Sequence, residues 1–454
     1  MRWLLPTIFV LLVQGLVGEV EKLPRPATEK GFVTLHYPRG FDPAKSYSVL
    51  YWFHGTGGRP NAGIGAGHEQ LVTVGMSYLK RENIEPGGYG AAHWSECQAV
   101  RGELEARGLK LDRNIVAGMS KGGWMGFYIG AEPREGLHAV AIFAAGKDPN
   151  SQARPSLQGP GLSVLIGSGE TDPNFPQAQL ALQVFKAAGA RVSYEEWLGE
   201  GHTYHRRGRV RDWLDVELRR SDAPGLRAFC ARAIAAELAE AEAWEDPVDR
   251  YVALRLLAGD PRLGEAGDVW RKRIRESGTA LATDPVVNDW LTQLNLLRAL
   301  VRREVAFFDR RDFEVPALEN LVKAYAKLQG ETTDVCLAAR AAHGRVRAGK
   351  MLAIYSEQLK AREDPHYRAL MEEYVRLQTR YGEARGEPGD EVMEQLQELG
   401  ARLAELRHKA SMGAFRESEW GDGGQAIPAE VTGAIEVDAV ARSHRPAAFS
   451  GLGF

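Results

Sequence analysis

Cysteine is scarce in this chain. Its three cysteines, Cys97, Cys230 and Cys336, lie far apart, which excludes a disulfide framework and a paired C-x-x-C zinc site. Buried free thiols are the expectation. Neither sign of charge is in excess: 57 Lys and Arg stand against 60 Asp and Glu, a net charge of −3. No nucleic acid or other polyanion is therefore implied as a partner. Past the N-terminus no apolar run approaches the roughly 18 residues of a membrane span. No period of about 30–50 residues marks a repeat array.

What is present points to two domains. A chain of 454 residues is too long for one ordinary domain, and 44% hydrophobic content permits a real core. Arg2 precedes Trp3–Val17, a run apolar apart from Thr7, Gln14 and Gly15, and charged residues resume at Glu19. A basic start, a short apolar stretch and small residues near its end read as a secretory signal peptide over 1–18, cut near Gly15 or Gly18. The expected location is secreted or periplasmic. No cysteine near the end of the run offers a lipid attachment point.

From residue 19 to about 222 the chain alternates between strand and helix signals. Gly31–Tyr37 reads as a first strand, followed by the turn-rich Pro38–Pro43. Tyr47–Phe53 is continuously apolar, the mark of a strand covered on both faces. Leu71–Tyr78 is a weaker strand and Ile84–Gly90 a loop. Glu96–Arg107 has helical spacing. Asn114–Gly118, His138–Ala144, Leu162–Ile166 and Arg191–Trp197 read as strands, with a helix over Gln177–Ala188 stopped by Gly189 and a closing helix over Arg211–Arg219. Strands alternating with helices imply a mostly parallel sheet flanked by helices. After about Pro224 the texture changes to Ala, Leu, Glu and Arg at helical spacing, through Phe229–Trp244, Asp268–Ser277, Val287–Phe308, Leu318–Leu328, Val335–Ala361 and Tyr367–Leu406. The expectation is an all-α region over 223–408 and a low-complexity, disordered tail over 409–454.

The stretch Asn114–Gly126 organises the first half. A short apolar run ends in Gly118-Met119-Ser120-Lys121-Gly122 and a Gly-punctuated apolar run follows. That is strand, tight turn and helix, with a serine hydroxyl held at a helix N-terminus. Acyl transfer through such a serine needs a base, an acid to orient the base, and donors for the oxyanion. In a parallel sheet these groups sit on loops at the carboxyl ends of strands. Asp172 follows the strand Leu162–Ile166, with Glu170 competing for the acid's role. His202 follows Arg191–Trp197, with His205 competing for the base's role. Each gap in the order Ser, Asp, His is long enough to contain whole strand–helix units. The backbone N–H of Lys121 is the first expected oxyanion donor. The second is expected from the Gly-rich loop His54–Gly58, from Thr56 first and Gly57 second. The Lys121 side chain is expected to face solvent or pair with an acid, and His54 to shape its loop. A metal pair of His202 and His205 lacks further ligands at familiar spacing, and no cofactor is called for.

His54-Gly55-Thr56-Gly57-Gly58, Gly118-Met119-Ser120-Lys121-Gly122-Gly123, Asp172-Pro173-Asn174-Phe175-Pro176 and Gly199-Glu200-Gly201-His202 resemble the landmarks of the α/β-hydrolase superfamily. The similarity is to its compact, lidless secreted esterases: those akin to polyhydroxybutyrate depolymerase, feruloyl and acetyl esterases, and dienelactone hydrolase-like proteins. It covers about Gly31–Arg220. It implies an α/β-hydrolase fold with Ser120 as nucleophile, Asp172 as acid and His202 as base, acting on a small-molecule or polymeric ester. Lys121 departs from the small or apolar residue common after the nucleophile, and the helical region matches no partner domain of the family. Two other readings stay open: a serine peptidase using the same apparatus, and a catalytically dead scaffold. The helical region is expected to be a module for a protein partner or self-association. Trp52, Trp94, Trp124 and Trp197 are candidates for pocket walls, with core packing the simpler expectation.

Overall fold

The computed structural model describes residues 20–84, 88–147, 161–310 and 315–383, with scattered positions between 392 and 409. The expected signal peptide, the centre of the expected loop at 84–90 and the expected tail beyond Lys409 lie outside the described residues.

The first half is built on an eight-stranded sheet: β1 (Val20–Pro24), β2 (Phe32–His36), β3 (Ser46–Phe53), β4 (Leu71–Met76), β5 (Lys110–Met119), β6 (Leu137–Phe143), β7 (Ser163–Gly169) and β8 (Arg191–Trp197). Their spatial order is β1-β2-β4-β3-β5-β6-β7-β8. β2 pairs antiparallel with β1 and β4, and every pair from β4 to β8 is parallel. The central strands are apolar without alternation because both their faces are covered. From β3, Val49, Tyr51 and Phe53 pack beneath α1 (Tyr89–Ala106) and α2 (Lys121–Gly130). Leu50 and Trp52 share the opposite face with Val210, Trp213 and Leu214 of a later helix, α4 (Arg209–Leu218). Between them in sequence comes α3 (Phe175–Ala187), whose Ala178, Ala181 and Phe185 pack on β6 and β7.

The remainder is helical: α5 (Ala223–Glu242), α6 (Pro247–Ala258), α7 (Leu263–Ala266), α8 (Asp268–Leu281), α9 (Pro285–Arg310), α10 (Val315–Glu331), α11 (Val335–Glu363) and α12 (Pro365–Glu383). Asp222, Asp246 and Asp334 cap α5, α6 and α11 by accepting a backbone N–H at the fourth residue of each motif. One hydrophobic cluster runs from Phe175 and Leu180 of α3 into Trp290 and Leu294 of α9, Leu321 and Tyr325 of α10, and Leu337 and Ala341 of α11. The helical region therefore shares its core with the sheet half through α3.

The structure departs from the sequence expectation at two elements. β1 was not foreseen: of its residues only Leu23 is buried, and it is an edge strand with Glu21, Lys22 and Pro24, which suppress a strand signal. α1 starts at Tyr89, not Glu96, because its buried face includes Gly90, His93 and Cys97, which blur the apolar spacing. The run expected over Tyr367–Leu406 is described as α12 to Glu383, and residues 384–391 lie outside the described residues. Cys97, Cys230 and Cys336 are buried free thiols, as expected.

Candidate active site

β5 delivers Ser120 into a backbone that a side chain rarely adopts, φ 56 and ψ −120. The turn is kept by close packing. A Cβ on Gly122 would stand 2.0 Å from the Phe53 carbonyl oxygen, and one on Gly118 would stand 2.3 Å from the Gly122 oxygen. Only glycine lets α2 start this close to β3 and β5. The Ser120 N–H donates to the Phe143 carbonyl at 2.9 Å, which ties the turn to the end of β6. Lys121 is the first residue of α2, so its N–H has no acceptor within the helix.

The loop after β3 lies against this turn. The Cβ position of Gly55 is 3.4 Å from Ser120 Cβ and 3.6 Å from the Met119 carbonyl oxygen. Thr56 follows, exposed. Among the described residues, no hydrogen bond occupies the N–H of Thr56 or that of Lys121. The loop is shaped by His54, whose Nδ1 donates to the Gly55 carbonyl at 2.7 Å, while the Tyr78 hydroxyl donates to the His54 carbonyl. Burial holds His54 below the usual histidine range, against the pull of the Gly55 carbonyl and with help from Lys121. Its imidazole is therefore neutral, a shaping residue and not a charge. The Lys121 ammonium sits 3.8 Å over the Tyr78 ring and 3.5 Å from Glu29, so it does pair with an acid. Tyr78 was not singled out from sequence. Its only signal there is its place at the end of a weak strand.

The loops after β7 and β8 meet each other. His202 Nδ1 lies 3.2 and 3.1 Å from the two Asp172 carboxylate oxygens. The Asp172 side chain is fully buried and that of His202 is 8% exposed. The Asn174 N–H donates to Asp172 Oδ1 at 2.9 Å. A carboxylate accepting from Nδ1 fixes the tautomer, so Nε2 is the basic nitrogen. Both competitors are engaged elsewhere. His205 Nε2 is 2.5 Å from Glu200, and Glu170 turns away from the sheet end to Arg340 and His343 of α11. The structure thus joins His202 to Asp172. It sets Ser120 at the same end of the sheet, after β5 where they follow β8 and β7. The Ser120 hydroxyl makes no hydrogen bond to the imidazole among the described residues.

Trp52, Trp94 and Trp197 are core residues, and Trp124 is half-buried against the α3 cluster. Tyr204, two residues past His202, packs 4.9 Å from Trp52 and 6.1 Å from Phe143, closing the sheet end beside the histidine loop. Among the described residues no three His, Cys, Asp or Glu side chains converge as metal ligands would.

No protein-family model matches this sequence, and neither does any curated protein. Solved structures similar to it include a ferulic acid esterase from the anaerobic fungus Anaeromyces mucronatus, at 15% identity and a TM-score of 0.34, covering 41% of this chain and 85% of that one. Esterase B from Lactobacillus rhamnosis is similar at 15% identity and a TM-score of 0.35, covering 52% of this chain and 96% of that one. A feruloyl esterase module from Clostridium thermocellum is similar at 15% identity and a TM-score of 0.31, covering 44% and 85%. By its own strand order and strand directions, the N-terminal half of this chain has the α/β-hydrolase fold.

Proposed function

We propose that this chain is a serine hydrolase that cleaves carboxylic esters. The observation that carries the reading is the buried Asp172–His202 pair at the sheet end where Ser120 is held in its left-handed turn. In this reading Ser120 Oγ attacks the ester carbonyl while His202 Nε2 takes its proton. Asp172 keeps the imidazole oriented and balances the imidazolium that forms. The N–H groups of Thr56 and Lys121 receive the oxyanion. His202 then gives the proton to the departing alcohol, and a water activated by the same nitrogen hydrolyses the acyl-serine. The bond from Ser120 to His202 is expected to close when substrate seats, as catalytic hydrogen bonds commonly tighten in the complex.

A fluorophosphonate probe tests this directly. The expected result is stoichiometric labelling of Ser120 in the full chain, none in Ser120→Ala, and turnover of p-nitrophenyl acetate lost by at least about a thousandfold in that variant. Unlabelled wild-type protein beside a labelled control esterase overturns the reading. An aminoacyl-anilide cleaved faster than the acetate ester would make the enzyme a peptidase instead. We also propose export. Its support is the basic start and short apolar run of residues 2–17, and the test is the N-terminal sequence of protein recovered outside the cytoplasm, expected to begin near residue 16 or 19.

A further inference from the structure

The loop that presents Asp172 is gripped on both sides by one helix of the region that follows the catalytic half. On the near side, Glu170 is 2% exposed and its carboxylate receives Arg340 Nε at 2.9 Å, His343 Nδ1, and the Gly199 N–H at 3.4 Å. The same Arg340 guanidinium also reaches Glu196 at the end of β8. The carbonyl of Glu170 accepts from Arg347, and that of Thr171 accepts from Lys350 Nζ at 3.4 Å. On the far side, the Arg347 guanidinium lies 4.0 Å over the ring of Phe175, the first residue of α3. Arg347 is itself fixed: its Nε and Nη2 meet Glu304 of α9 at 2.6 and 2.7 Å, and the Tyr325 hydroxyl of α10 donates to that carboxylate at 2.7 Å.

Asp172 therefore stands between two anchors on α11, one at residues 170–171 and one at residue 175. Arg340, His343 and Arg347 recur at helical spacing, so they share one face of α11. Burial alone would raise the Glu170 carboxyl, but His343, Arg340 and Arg347 around it outweigh that and hold it below the usual carboxylate range. Buried ion pairs add little net stability over well-packed apolar side chains. Directional bonds to two backbone carbonyls and a ring do something apolar packing does not: they set where the loop enters and leaves. Ångström-scale displacement of a catalytic group lowers turnover steeply.

We propose that Arg340 and Arg347 are positioning residues of the active site, and that the helical region serves to hold the Asp172 loop against His202. The inference rests on the serine-hydrolase reading for its effect on turnover, but not for the geometry it asserts. The test uses the full-length chain and two readouts. The first is the downfield proton NMR signal of the His202 Nδ1–H hydrogen bond, identified by its absence in His202→Gln. The second is kcat and KM per fluorophosphonate-titrated site, which removes any unfolded fraction from the comparison.

In Arg347→Met and Arg340→Met the downfield signal is expected to weaken or shift. Turnover per titrated site is expected to fall about tenfold or more with KM nearly unchanged, as befits a misplaced catalytic group. Arg347→Lys, which keeps the charge but not the fork, is expected to recover only part of the loss. A wild-type signal and wild-type kcat per site in folded Met variants would overturn the proposal. A wild type that shows the signal but neither labels nor turns over would sink the hydrolase reading, and the signal in the Met variants would still decide the positioning role.

Discussion

Ser120 occupies backbone space that glycine tolerates and other residues rarely adopt, at φ 56 and ψ −120. A strained residue of this kind costs about 1–3 kcal/mol and persists only where the surroundings hold it. The surroundings here are the Phe143 carbonyl and the tight approach of α2 to β3. Ser120→Gly removes the strain, offset in part by the greater freedom of glycine in the unfolded chain. It is expected to raise unfolding free energy by about 1 kcal/mol while abolishing probe labelling. Urea titration checks this, and a less stable glycine variant would mean that the serine side chain contributes contacts which outweigh its strain. Glu195, the residue before the clamped Glu196, offers a second test at this scale. Burial pushes its carboxyl up to about 7, against Arg209 and the backbone N–H groups of Arg209 and Val210. Its folded value lies above its unfolded one, so the native state holds more protons between about 4.5 and 7. Stability from this group is complete below that window and is lost as pH rises through it. Glu195→Gln keeps an acceptor for the Val210 N–H. Its stability relative to wild type is expected to grow by up to about 3 kcal/mol from pH 4.5 to above pH 7. Melts across that range would show a constant gap if the carboxyl titrated normally.

The elements that position the site differ in how far their own residues announce them. β3 and β5 could be read directly, because continuous apolar runs leave a parallel, twice-covered strand as the simplest solution. The turn at Ser120 could also be read, because close backbone contact between strand and helix admits only glycine. Gly122→Ala tests that contact: its methyl would stand 2.0 Å from the Phe53 oxygen. The expected outcome is a loss of roughly 1–3 kcal/mol or more, with labelling of Ser120 falling as the turn opens. An alanine variant of wild-type stability and reactivity would show that α2 can slide without disturbing the serine. Other features could not be read. β1 carries its charges on exposed or half-buried positions of an edge, and α1 hides two turns behind His93 and Cys97. Tyr78 acts on the loop after β3 through a bond to the His54 carbonyl, a contact that no local spacing encodes. Which of Asp172 and Glu170 meets His202 is open in sequence because both follow β7. It is decided by residues of α11 far along the chain, which occupy Glu170 and leave Asp172 to His202.

At the scale of the whole molecule, the dense charge along α11 leaves open from sequence which of its faces is covered. One face of it is buried against the sheet half, where Arg340 and Arg347 are 3% and 2% exposed. The join is made at several further places. Arg209 of α4 donates to the Leu256 carbonyl of α6 at 2.6 Å, Arg220 meets Glu265 at 2.7 Å, and Val216 packs into the cluster of Leu226, Cys230 and Leu254. Cutting the chain after residue 222 would expose Phe175 and Leu180 and strip Arg340 from both Glu170 and Glu196. Uncompensated buried carboxylates are more costly than the pairs they came from. The fragment 19–222 is therefore expected to be insoluble or to lack a cooperative melt, whereas the full chain is expected to unfold in one transition seen alike by tryptophan fluorescence and helical circular dichroism. Supplying residues 223–454 as a separate chain during expression is expected to return soluble, probe-reactive protein. A fragment that melts cooperatively and labels at the full-length rate on its own would show that the shared core is dispensable, and that the sheet half holds the Asp172 loop without α11.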